Sequence, residues 1–135
     1  MPFALAWEPG GVVRRYIGNV TVAEREQSFD RICSDPRFDQ LVFAITDYRD
    51  VLHYEISRAA TEEIAARHIG PLHTNPNIAI AAVVVDPRII EAIHHFMSLQ
   101  FFTQEYRIFS TMAEARAWTA AHRASRQLAG RGRAR

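Results

Sequence analysis

Residues 3–8, FALAWE, alternate Phe3, Leu5 and Trp7 with Ala4, Ala6 and Glu8, the two-residue period of a half-buried strand. Pro9-Gly10-Gly11 marks a turn, and residues 12–17, VVRRYI, read as the returning strand of a hairpin that ends at Gly18-Asn19. Arg14 and Arg15 inside that strand suit a sheet edge, where charge discourages pairing with other chains. Thr21-Val22-Ala23-Glu24 is a capping box. It opens a helix to about Cys33, with Phe29, Ile32 and Cys33 on one face, and Ser34-Asp35-Pro36 stops it. Leu41 to Ile45 is an unbroken apolar run, the mark of a strand covered on both faces. Asp47 to Tyr54 reads as a polar loop, and a second helix runs from about Ser57 to Ile69, closed by Gly70-Pro71.

Ile78 to Val85, IAIAAVVV, is the most apolar strand candidate, followed by Asp86 as N-cap and Pro87 at the first helical position. The third helix runs from Arg88 to about Phe101. At 100° per residue, Ile89, Ile90, Ala92, Ile93, Phe96, Met97 and Leu99 cover a wide apolar arc, with Glu91, His94, His95 and Ser98 opposite. That arc has room for the sheet plus a neighbouring helix, a partner subunit or an apolar pocket. Tyr106, Ile108 and Phe109 form a short fifth strand. Thr111-x-x-Glu114 caps a fourth helix, and Trp118 packs that helix onto the sheet. The order ββαβαβαβα predicts a single α/β domain: a mostly parallel five-stranded sheet with an antiparallel N-terminal hairpin strand, and four helices.

Composition refines this picture at one place. All 16 cationic residues are arginine; five of them fall in the last 13 positions, and the 15 acids lie at or before Glu114. Residues 1–122, the predicted domain, therefore carry a net −4, and the segment 123–135 carries +5. A mildly acidic body argues against a nucleic-acid-binding face on it. The tail has little to bury and is expected to be disordered beyond about Ser125. A single cysteine, Cys33, excludes an internal disulfide and points to a reducing cytoplasm. The sequence shows no signal-peptide pattern and no apolar run long enough to span a bilayer.

With these elements placed, the chain resembles the STAS fold, and within it the small SpoIIAA-like proteins. The matching pieces are the opening hairpin with Gly18, Asp35-Pro36-Arg37, Asp47 just after the third strand, IAIAAVVV, and the closing YRIFSTMAEARAW. The resemblance spans residues 3–120 and implies a regulatory binding module more than an enzyme. Well-known members are anti-sigma-factor antagonists switched by phosphorylation of a serine at the start of the helix after the third strand, in an Asp-Ser-Ser-Gly-like context. The corresponding place here reads Glu55-Ile56-Ser57-Arg58, where Ser57 serves equally as a plain helix N-cap.

Open parallel sheets bind ligands beyond the carboxyl ends of their strands. The expected site is therefore Asp47, Tyr48, Arg49, Tyr54 and Ser57, a polar rim with aromatic walls that takes a protein partner or a small ligand. A second reading is a carrier of an apolar or lipid-like ligand, held between the third helix and the sheet by Ile90, Met97 and Phe101. A third is an enzyme acting on a small polar substrate near Asp47 and Asp86, which requires convergent carboxylates or histidines. The wide apolar arc also allows a homodimer. No motif implies a cofactor. Glu91, His94 and His95 have helical spacing but fall on the solvent arc, so no metal is expected. His68 reads as a partly buried structural histidine, and Cys33 as a small core residue.

Overall fold

The computed structural model describes residues 2–133. Phe3–Glu8 (β1) and Gly11–Val20 (β2) form the expected hairpin, with Glu8 paired to Gly11 across the two-residue turn Pro9-Gly10. Gly10 sits at φ 72°, which suits a proline–glycine turn whose second residue must be left-handed. Then follow Val22–Ser34 (α1), a short 3-10 turn at Pro36–Gln40, Phe43–Tyr54 (β3), Arg58–Thr74 (α2), Ala79–Val83 (β4), Pro87–Ser98 (α3), Tyr106–Phe109 (β5) and Met112–Arg133 (α4). The sheet runs β1-β2-β3-β4-β5, antiparallel in its first pair and parallel in the other three. The predicted α/β architecture is the observed one.

Strand alternation sorts the side chains into two layers. Phe43 and Ile45 of β3 and Ala81 and Val83 of β4 meet Ala115 and Trp118 of α4. Trp118 lies against Phe109 with ring centroids 5.7 Å apart and the rings tilted, as expected of a residue that fastens the last helix. The opposite face carries Val12, Tyr16, Ala82 and Val84, covered by Ile32 of α1, Leu72 of α2 and Ile89 and Ile93 of α3. Both capping segments act as expected at Thr21 and Thr111. Thr21 and Glu24 exchange the two reciprocal bonds of a capping box, and Thr111 Oγ1 accepts from the Glu114 amide at 3.2 Å.

Four expectations are corrected. The strand with Arg14 and Arg15 is not an edge: β2 lies between β1 and β3, and the edges are β1 and β5. The apolar run at residues 41–45 is only the start of β3, which continues through the supposed polar loop to Tyr54 by pairing with β2. Helix α2 passes through Gly70-Pro71 to Thr74. Pro71 removes one backbone bond from the helix, and the turn that follows it buries Leu72, which is 4% exposed. Asn75 then ends the helix, its Nδ2 donating to the carbonyls of Phe38 at 2.9 Å and Leu41 at 3.1 Å. Finally, α4 does not stop near Ser125 but runs to Arg133. Alanine, arginine and glutamine favour helix, and His122 and Arg123 anchor it by bonding the carbonyls of Asn77 at 2.8 Å and Pro9 at 2.7 Å. Arg135 and the side chains of Arg131 and Arg133 lie outside the described residues.

Candidate functional site

The pairing of β3 with β4 ends at Asp47 and Val83, yet β3 runs on for seven residues against β2 alone. Two register shifts, between Arg15 and Ile17 and between Gly18 and Asn19, break this extension. Bulges sharpen strand twist, and Gly18 accommodates one of them at φ 68°. The result is a two-stranded arm that carries Tyr48 and Tyr54 over the face lined by Tyr16. The three rings make a triangle with centroids 5.5 to 6.0 Å apart.

The three rings border a cavity of about 70 Å³. The sheet supplies Arg14, Tyr16, Thr46, Tyr48, Ile80 and Tyr106 as its floor; α1, α2 and α3 close it with Phe29, Ile64, His68, Ile93 and Phe96. A surface groove of about 490 Å³ lies outside, between the β3–α2 connection and the start of α3. Tyr54 and Ala92 line both spaces, so the groove sits directly over the cavity.

The cavity is electrically lopsided. Arg14 and Arg25 line it, and no carboxylate does among the described residues. The Arg25 guanidinium lies 4.4 Å from the Tyr54 ring centroid and donates to the Glu55 carbonyl at 3.3 Å. Burial pushes the Tyr54 and Tyr106 phenols well above their ordinary value, so both stay neutral. Burial likewise drives His68 down to about 4, against the opposing pull of its bond to Ile64. Its Nδ1 lies 2.7 Å from the Ile64 carbonyl oxygen. A carbonyl only accepts, so Nδ1 carries the proton. The ring stacks on Phe29 at 3.8 Å. His68 is thus a neutral structural histidine that also walls the cavity.

The five residues expected at one rim are divided among three places. Tyr48 and Tyr54 are buried at 7% and 5% exposure and face the cavity. Ser57 is the N-cap of α2, its Oγ accepting from the Ala60 amide at 3.0 Å, and it lines the outer groove. Asp47 and Arg49 point away from Tyr48 and bind each other through Nε–Oδ1 and Nη2–Oδ2 contacts of 2.9 Å each. Burial raises the Asp47 carboxyl, but the bonds from Arg49 outweigh it and hold the group below its usual range. Asp86 caps α3 by accepting from the Arg88 amide at 2.9 Å. Each of these carboxylates is engaged locally, and the two do not converge.

A cavity lies between α3 and the sheet, but Ile90, Met97 and Phe101 do not line it. Ile90 and Met97 are half-buried against the core, and Phe101 lies beyond the end of α3, 39% exposed. The helix turns Ala92, Ile93 and Phe96 to the cavity instead. His95 is likewise not on the solvent side: its Nε2 lies 3.4 Å from Glu62 Oε1 on α2. Burial pushes the Cys33 thiol up to about 12, which leaves it inert. Sequence reasoning missed Arg14, Tyr16 and Arg25. The signal for Arg14 lay in the alternation itself, since Val12, Arg14 and Tyr16 share one face of β2 and two of the three are core residues.

No protein-family model matches the chain, and no curated protein matches it. Among solved structures, the anti-sigma factor antagonist SpoIIAA in its unphosphorylated form aligns with a TM-score of 0.62 at 13% sequence identity, over 87% of this chain and 97% of that one. At so low an identity the likeness speaks to architecture, and the strand order and helix placement described above agree with it: this chain has the STAS-type fold of SpoIIAA.

Proposed function

We propose that this protein is a non-enzymatic regulatory module that docks a protein partner at the carboxyl end of its sheet. One observation carries this reading. Leu52, near the end of β3, Ile56, just after it, and Val85, just after β4, are 83%, 38% and 60% exposed, and Ile56 lines the groove with Ser57 and Arg58. Large apolar side chains left exposed at the same end of a sheet are candidates for an interaction surface. The likeness to a protein described as an anti-sigma factor antagonist supports a partner that is itself a protein. The contact surface lies on Leu52, Ile56 and Ser57 rather than on Tyr48 and Arg49, since Tyr48 is a core residue and Arg49 is tied to Asp47.

Leu52→Asp and Ile56→Asp test this. Exposed substitutions of this kind move stability by about 0.5 kcal/mol or less, so melting should shift by no more than ~2–4 °C. In affinity purification with quantitative mass spectrometry, the specific partner should be retained by the wild type and fall by about ten-fold or more with either variant, the loss expected of a central contact. An unchanged set of retained proteins places docking elsewhere.

A further inference from the structure

Arg14 rises from the middle of β2 into the layer between sheet and helices, and no acid meets it there. Its acceptors are neutral hydroxyls: Nε and Nη2 donate to Thr46 Oγ1 at 3.2 and 3.0 Å, and Nη1 donates to Ser28 Oγ at 3.0 Å. Ser28 has nothing more to give. Its hydroxyl donates to the Arg25 carbonyl at 2.8 Å, so toward Tyr16, also at 2.8 Å, it accepts. A guanidinium carries five N–H donors in a fixed fork and is charged at every working pH. Arg14 therefore keeps two N–H groups unmatched among the described residues, together with an unneutralised charge. Arg25 adds a second cation to the same cavity. Drawing charge out of water without an opposite charge is costly, and here two cations share an interior space that they do not fill.

We propose that this cavity binds a small organic carboxylate, with its charged end on Arg14 and Arg25 and its apolar body against Phe29, Ile93 and Phe96. The walls have that polarity: guanidinium and hydroxyl groups toward β2 and β3, aromatic and aliphatic groups toward the helices. The volume, about 70 Å³, is several times the roughly 10–15 Å³ that one water requires, so a ligand of several heavy atoms fits. A planar carboxylate matches the two free donors of the Arg14 fork. The mouth is the boundary shared with the outer groove, at Tyr54 and Ala92. Leu52 lines neither the cavity nor the groove, so the docking reading and this one can fail separately.

The test is calorimetric titration of the full chain with butyrate and benzoate, each beside its neutral amide, butyramide or benzamide, and with inorganic phosphate. Charge-assisted recognition should make at least one carboxylate bind about ten-fold or more tightly than its amide, and more tightly than phosphate. Arg14→Gln keeps a polar group near Thr46 and should erase the preference for the carboxylate. Leu52→Asp should leave it intact. Should Arg14→Gln fail to fold, the carboxylate-to-amide ratio on the wild-type chain still decides. Equal binding of acid and amide, tighter binding of phosphate, no binding of any probe, or an unchanged preference in Arg14→Gln would each overturn the proposal, leaving the cavity to water.

Discussion

Gly11→Ala should destabilise the fold by about 1–2 kcal/mol, the cost of forcing atoms into a filled core less what the stiffer unfolded chain returns. Gly11 and Phe43 are paired directly across β2 and β3. The ring of Phe43 lies over the glycine so closely that a Cβ there would stand 2.0 Å from Cζ and 2.4 Å from both Cε atoms. The ring has nowhere to go, because it is 5% exposed and packed among Ile45, Ala81, Val83 and Ala115. Either the ring leaves its rotamer or the β2–β3 spacing opens. Urea unfolding of Gly11→Ala, Phe43→Leu and the double variant would measure this. Relief of the clash predicts that the double variant is more stable than the sum of the two single losses allows, by at least ~1 kcal/mol. A Gly11→Ala protein as stable as the wild type would show that the ring yields freely.

Gly11 also illustrates what the sequence could and could not disclose. Its neighbours Pro9 and Gly10 made it look like one more turn residue, and only the partner strand gives it a reason. The element order was legible because capping residues and apolar runs are local signals: Thr21 with Glu24, Asp86 with Pro87, and IAIAAVVV each stand within a few residues of what they specify. The far half of β3 was not. Asp47, Arg49 and Asp50 made residues 47–54 look solvated, yet they sit in an ordered arm because β2 supplies a partner strand and Arg49 and Arg15 supply the counter-charges. Arg14 was misplaced for a related reason. Charge inside a strand usually signals an edge, and here tertiary structure overrode that rule by giving the guanidinium hydroxyl partners on α1 and β3. The continuation of α2 past Pro71 follows the same logic, since Leu72 packs into the core beyond it and Asn75 holds the helix end through the carbonyls of Phe38 and Leu41. Of the residues around the cavity, Tyr48 and Tyr54 were singled out from the sequence, whereas Tyr16, Arg14 and Arg25 were not, because strands and helices far apart in sequence create that cavity.

Acidification should destabilise the protein well before its ion-paired carboxylates titrate, and His68 should be the cause. Its folded value lies near 4 against an ordinary 6.5, chiefly because burial disfavours the imidazolium. Between these values the unfolded chain holds a proton that the folded chain does not, so falling pH favours unfolding. The contribution of neutral His68 is fully present above about pH 6.5 and is lost progressively down to about pH 4, amounting to about 3 kcal/mol over the window. Asp35, held near 2 by its bonds from Arg37, and Asp47, held low by Arg49, lose their contributions only below the ordinary carboxylate value of 3.8, so the two regimes separate. His68→Leu removes the titrating ring while keeping an apolar side chain against Phe29 and Phe96, which His68 touches at ring distances of 3.8 and 5.0 Å. Unfolding free energies by urea titration at pH 7.0, about 5.5 and about 4.5 should fall steeply for the wild type and by ~1 kcal/mol or less for the variant. Loss of the ring's bond to Ile64 lowers the variant's stability equally at every pH, so the slope, not the starting value, is the readout. Equal slopes in the two proteins would assign the acid sensitivity to another group.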